Sequence, residues 1–286
     1  MTTVSRRALL VPAGPLATPR PSIHPRAEWA GKARRPRGRL LPENDPLFLL
    51  VHHSESPTPT RPAQVPQAIR SFFDYHTGSK GWPDVAYNFF VDPFGRLWEG
   101  RAGSLAGPVR GDATGGSQGH AELVCFIGSF SDEPPSTPAL DAAATLLAWI
   151  AARDGIDLSA ERTIRFTSRG SNRWPKGSTV TTWPLAGHRE MSLTSCPGDA
   201  LFPLVRKQLL PAAGAIGASV ASASPSPTKV SAPATPASNP PPGAASAPEG
   251  QSLGLPLGIG LGLAGLTAGG AWYLRRRRQA ADRSGS

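Results

Sequence analysis

Leu47-Phe48-Leu49-Leu50-Val51 runs directly into His52-His53. Five consecutive apolar residues leave no polar face, which is the pattern of a strand covered on both sides. Downstream, Val65, Ala68, Ile69, Phe72 and Phe73 fall on one stripe of a 3.6-residue repeat and predict a helix. Tyr87 to Val91 and Arg96 to Glu99 flank Asp92-Pro93-Phe94-Gly95, which reads as a hairpin turn between two short strands. Leu123 to Ile127 is a second apolar strand. Thr137 reads as the cap of a helix with Pro138 at its first position and Gly155 just past its end, turning Leu140, Ala144, Leu147 and Ile150 or Ala151 inward. A last amphipathic helix is expected over about Ala200 to Leu210. Strands interleaved with helices predict an α/β domain over residues 22–211, with a mixed central β-sheet flanked by helices.

Outside that domain the composition changes. The 286 residues include 32 prolines and 31 glycines, more than one compact fold uses, and the net charge of +10 sits mostly at the ends. Arg6, Arg7 and Arg20 supply +3, and Arg275 to Arg278 with Arg283 against Asp282 supply +4. The +3 left between them is a weak footprint for phosphate, so no nucleic acid is expected as a partner. Residues 212–251 are dominated by Ala, Pro and Ser with only Lys229 and Glu249 charged, which predicts a disordered linker. The uncharged run Leu253 to Leu274 is about 33 Å long as a helix and is followed at once by Arg275 to Arg278. That pairing predicts a transmembrane helix at 252–274 and a basic cytoplasmic tail at 275–286. Ser5-Arg6-Arg7-Ala8-Leu9-Leu10 and the apolar run to Ala17 resemble a twin-arginine export signal over residues 1–21. Both ends predict a membrane-anchored protein whose domain lies outside the cytoplasm.

The candidate chemistry rests on His52 and His53 at the strand end, His188 in Gly187-His188-Arg189-Glu190, and Cys196 in Thr194-Ser195-Cys196-Pro197-Gly198-Asp199. Two imidazoles and one thiolate leave a fourth tetrahedral position open, the arrangement of a hydrolytic zinc whose bound water ionises near neutrality. Spacing alone leaves two alternatives open. A histidine at a strand end often serves only the fold, and export would permit a Cys125–Cys196 disulfide. Cys125 in Val124-Cys125-Phe126-Ile127 is equally an ordinary place for a reduced, buried cysteine.

Five motifs then occur in a telling order. They are Leu50-Val51-His52-His53-Ser54, Gly81-Trp82-Pro83-Asp84-Val85-Ala86-Tyr87-Asn88-Phe89, Trp98-Glu99-Gly100-Arg101, Gly187-His188-Arg189 and Ser195-Cys196-Pro197-Gly198-Asp199. From about Ile23 to Leu210 the chain resembles the peptidoglycan recognition proteins, relatives of the phage-lysozyme-type zinc N-acetylmuramoyl-L-alanine amidases. The resemblance implies Zn2+ held by His52, His188 and Cys196, with His53 as a supporting neighbour. It implies catalytic roles for Tyr87, as hydrogen-bond donor to an oxyanion, and for Thr194, as donor to the scissile carbonyl. It also implies a groove lined or shaped by His76, Trp82, Asp84, Asn88 and Arg101.

Members that only bind peptidoglycan have typically lost the cysteine, so retention of Cys196 favours catalysis. Ala102-Gly103 stands where many relatives carry Gly-Trp, a pair associated with diaminopimelate peptides. Gly111-Asp112-Ala113-Thr114-Gly115-Gly116 replaces the usual His-bearing segment, so the resemblance implies no particular stem peptide. The expected function is zinc-dependent cleavage of the amide between N-acetylmuramic acid and L-alanine in peptidoglycan, in bacterial cell-wall turnover. The alternatives are a tethered peptidoglycan-binding module without catalysis, and a basic surface protein that meets nucleic acid or anionic lipid through its terminal arginines.

Overall fold

A computed structural model describes residues 18–115 and 119–222. Its elements run β1 (Ile23–His24), α1 (Ala27–Ala30), β2 (Phe48–His53), α2 (Val65–Gly78), β3 (Phe89–Val91), β4 (Leu97–Glu99), β5 (Ala121–Phe126) and α3 (Thr137–Asp154). There follow β6 (Ile164–Thr167), β7 (Thr179–Thr182), β8 (Leu185–Gly187), α4 (His188–Met191), α5 (Phe202–Leu204) and α6 (Leu210–Ser222). Six strands form one mixed sheet in the order β1-β4-β3-β5-β2-β8, and β6 pairs antiparallel with β7.

The apolar run behaves as its composition requires. β2 lies between β5 and β8, parallel to both, with Val51 opposite Val124 on one side and Gly187 on the other. Phe48 to Val51 are fully buried, so the strand is covered on both faces and paired on both edges. Alternate residues divide between two layers. Leu49 and Val51 join Phe89, Val124 and Phe126 against Leu146, Leu147 and Ile150 of α3, Leu209 just before α6, and Leu210 and Ala213 at its start. Phe48 and Leu50 face the other way, toward Leu123, Ala186, Phe166 and Met191. On that same face Phe90 and Cys125 pack against Ile69 and Phe73 of α2.

The mixed sheet between helices matches the expectation, with differences at element ends. β2 runs through His53, so both histidines lie inside the strand, while Tyr87 and Asn88 precede β3. The cap of α3 is Ser136 and not Thr137. The Ser136 hydroxyl accepts the Ala139 N–H and donates to the Pro93 carbonyl, tying the helix to the β3–β4 turn. Gly155 ends α3 in the left-handed conformation that glycine favours. The last helix continues to Ser222, so the first residues of the expected linker are helical. A π-helical turn over Val205–Leu209 runs directly from α5 into α6 just ahead of Pro211, the next proline is Pro225, and the intervening alanines are strong helix formers.

Residues 1–17 of the expected export signal, 223–251 of the expected linker, the span at 252–274 and the basic tail lie outside the described residues. No helix among the described residues is long and apolar enough to cross a membrane.

Leu146→Ala empties a fully buried position facing the sheet. It is expected to lower the unfolding free energy by about 2–5 kcal/mol, and Ser136→Ala by about 1 kcal/mol. Urea unfolding followed by tryptophan fluorescence checks both, and a loss below about 0.5 kcal/mol for Leu146→Ala would contradict this packing.

Candidate metal centre

Strand parity decides which histidine of the pair faces the site. His53 falls on the face of Leu49 and Val51, where its Nδ1 accepts the Phe130 N–H at 3.2 Å. His52 falls on the opposite face, level with Cys125 of β5. β8 runs beside β2 and ends at Gly187, so the next residue, His188, emerges alongside His52 with ring centroids 4.3 Å apart. Gly187 allows this approach, because a Cβ there would lie 2.8 Å from the Phe202 ring and 3.2 Å from Pro197 Cδ. Glu190 pins the turn by accepting the Gly187 N–H at 2.7 Å.

Cys196 arrives on the loop after α4. Its Sγ lies 3.7 Å from His52 Nδ1 and accepts the His53 N–H at 3.4 Å. The loop closes against Phe130, where Gly198, at φ 99°, has no room for a side chain: a Cβ would sit 2.1 Å from the Phe130 carbonyl oxygen. Ligand atoms of His52, His188 and Cys196 all lie within 4.8 Å of one another. Zinc with Zn–N of about 2.0 Å and Zn–S of about 2.3 Å at a tetrahedral angle puts N and S about 3.5 Å apart. The observed 3.7 Å between His52 Nδ1 and Cys196 Sγ fits that value. Two imidazoles and a thiol are also the right donors, and Nε2 of His188 is buried without a hydrogen-bond partner.

Burial sets the protonation states. It holds the His52 imidazole well below its ordinary pKa, helped by His188, and lowers His188 to about 4, so both rings are neutral and able to ligate. Burial pushes the Cys196 thiol up to about 12. Both cysteines are free, so the disulfide alternative is not formed. Cys125 is fully buried and its thiol is raised by the same desolvation, which makes it inert.

Tyr87 stands beside the ligands, its ring centroid 5.1 Å from that of His52 and 5.6 Å from that of His76. Burial lifts its phenol well above 10, so it keeps its proton and can donate a hydrogen bond. Thr194 is exposed on the cysteine loop, where its Oγ1 accepts the Cys196 N–H at 3.2 Å. His76, near the end of α2, accepts the Ala86 N–H at 3.2 Å and packs 5.1 Å from the partly buried Trp82, so these two form a wall beside Tyr87.

The structure corrects the placing of Asn88 and Arg101 against substrate. Asn88 is fully buried, with its amide spent on Ser104, the Val109 carbonyl and the Leu123 N–H. Arg101 is 2% exposed and donates to the Val85 carbonyl and Asp112. Asp84 is buried as well, ion-paired with Arg26 at 2.8 Å. These three brace the loops behind the wall. Phe130 was missed by sequence reasoning because it acts through its backbone N–H and carbonyl, which no motif marks; Glu190 was quoted without a role because its carboxylate serves the Gly187 N–H.

Because the thiol carries its proton and the imidazoles do not, binding of zinc should release one proton from the protein. Between about pH 5 and 6.5, below the range where zinc-bound water ionises, affinity is expected to rise about tenfold per pH unit. Calorimetry in buffers of different ionisation enthalpy measures this directly, and a release of zero or two protons would contradict the assigned states.

The geometry agrees with comparisons across known proteins. The family model described as N-acetylmuramoyl-L-alanine amidase matches residues 42–199. Human N-acetylmuramoyl-L-alanine amidase is 32% identical over 189 residues, a match that covers 65% of this chain and 28% of the human protein. The chain thus spans less than a third of the length of that relative. Mouse peptidoglycan recognition protein 1 is 30% identical over 193 residues, covering 67% of this chain and 90% of its own. The crystal structure of Drosophila peptidoglycan recognition protein SD has the same fold, with a TM-score of 0.51 at 24% identity over 65% of this chain and 94% of that one. With more than half of its length inside the family match, the chain belongs to the N-acetylmuramoyl-L-alanine amidase family.

Proposed function

We propose that the domain is a zinc-dependent hydrolase that cuts the amide between N-acetylmuramic acid and L-alanine in peptidoglycan, in bacterial cell-wall turnover. The observation that carries this reading is the complete trio of His52, His188 and Cys196 with Tyr87 against it. Zinc bound by three protein ligands supplies a Lewis acid and water that ionises near pH 7. The chain's own residues supply the rest. The Tyr87 hydroxyl donates to the carbonyl oxygen as negative charge builds on it, and a donor of this kind contributes about 100- to 1000-fold in rate. The Thr194 hydroxyl, which already accepts the Cys196 N–H, has its proton left to donate to the same carbonyl. His76 and Trp82 hold the substrate against Tyr87, and the water that adds to the carbonyl brings the proton that the leaving amine takes.

The arginine-flanked uncharged run and the twin-arginine-like N-terminus support an extracytoplasmic, membrane-anchored setting for this activity. A second reading, peptidoglycan binding without cleavage, draws support from the likeness to mouse peptidoglycan recognition protein 1.

On purified peptidoglycan the zinc-loaded protein is expected to release new L-alanine amino groups, and chelation should stop the release. Cys196→Ser should abolish both zinc retention and release. Tyr87→Phe should keep the zinc and lower kcat about 100-fold or more with little change in KM. Zinc-loaded protein that binds peptidoglycan and releases nothing would transfer the domain to the second reading.

A further inference from the structure

Arg189 touches neither ligand atom, yet it spans the loop on both sides of Cys196. It follows His188 directly, at the start of α4. Its backbone N–H donates to the Cys196 carbonyl at 3.0 Å and its Nε to the same carbonyl at 3.5 Å. Nη2 donates to the Ser195 carbonyl, Nη1 donates to Asp199 Oδ1 at 2.6 Å, and the guanidinium lies 4.8 Å over the Phe202 ring. Both hydrogen bonds to the Cys196 carbonyl among the described residues come from Arg189. Other bonds hold the loop at its ends, Leu193 to Asn172 and Ala200 to the Phe130 carbonyl, while Arg189 is the residue that ties the Ser195 and Cys196 carbonyls to the histidine turn.

The contacts differ in weight. The Asp199 side chain is 78% exposed, so its ion pair with Arg189 is a surface pair of small worth. The backbone N–H bond to the Cys196 carbonyl survives replacement of the side chain, whereas the side-chain bonds to the Cys196 and Ser195 carbonyls and the aromatic stack need a flat, branched donor in a fixed plane, which arginine provides and the single ammonium of lysine does not.

We infer that Arg189 is a positioning residue for the metal: it fastens the cysteine loop to the histidine turn, so that His188 and Cys196 are presented as one preset unit to His52. The inference rests on the reading of the trio as a zinc site. It goes beyond that reading by assigning the preset to one side chain and to its shape more than its charge.

The test compares the full chain with Arg189→Lys, Arg189→Ala and Asp199→Asn. Zinc affinity is measured by chelator competition, and the thiolate-to-metal charge-transfer band is read after cobalt substitution. Arg189→Lys and Arg189→Ala are expected to lose about 10- to 100-fold in zinc affinity, the usual effect of removing an outer-shell support, with a weakened or shifted cobalt band. Asp199→Asn should stay within about threefold of the original.

Melting with and without zinc covers the case in which a variant is destabilised. A positioning role shrinks the gain in Tm that zinc gives, whereas a purely structural role lowers both Tm values and leaves the gain intact. Wild-type affinity and an unchanged cobalt band in Arg189→Lys would overturn the inference while leaving the zinc site standing. A wild-type chain that takes up no zinc at all would overturn both.

Discussion

The site depends on one strand held in place from four directions. β2 is paired on both edges by parallel neighbours and covered on both faces by apolar side chains, so its register has no freedom to slip. A slip of one residue would exchange His52 for His53 and send the metal-facing imidazole into the layer beneath α3. With register fixed, the two histidines take different tasks from their parity alone. His52 faces His188 and Cys196, while His53 holds Phe130, whose carbonyl the cysteine loop packs against through Gly198. The core thus reaches the candidate zinc site through the His53–Phe130 hydrogen bond and the packing of the cysteine loop on Phe130.

Desolvation gives that site its electrostatic character. Each of the three ligands is held in its neutral form chiefly by burial: imidazoles without a proton, a thiol with one. Burial of this kind makes a lone thiolate costly, so ionisation of Cys196 would need a cation beside it. Tyr87 belongs to the same environment. The burial that raises its phenol keeps it a donor at neutral pH, the form an oxyanion requires.

Much of this was legible in the sequence, for identifiable reasons. Five apolar residues before His52 match a covered strand, and the end of α3 at Gly155 follows from glycine's freedom at positive φ. The trio was legible because residue types and motif order carry it. Other features depend on partners distant in sequence. Asn88 and Arg101 sit in motifs associated with a groove, yet both are buried, with Asn88 bonded to Ser104 and Val109 and Arg101 to Val85 and Asp112. The cap fell to Ser136, one residue early, because its hydroxyl also reaches Pro93 on the hairpin. Composition at 212–222 resembled the linker that follows, and only the packing of Leu210 and Ala213 against α3 marks it as part of the domain. Arg189 stood in a quoted motif without a role, since its function is a shape fitted to a loop that the sequence does not display.

The measurement closest to the central claim is X-ray absorption at the zinc edge of the purified chain. The account predicts one sulfur at about 2.3 Å, two imidazole nitrogens at about 2.0–2.1 Å and one further light atom in a four-coordinate shell. A shell without sulfur, or one with imidazole from a single residue, would contradict the joining of His52, His188 and Cys196 at one metal ion.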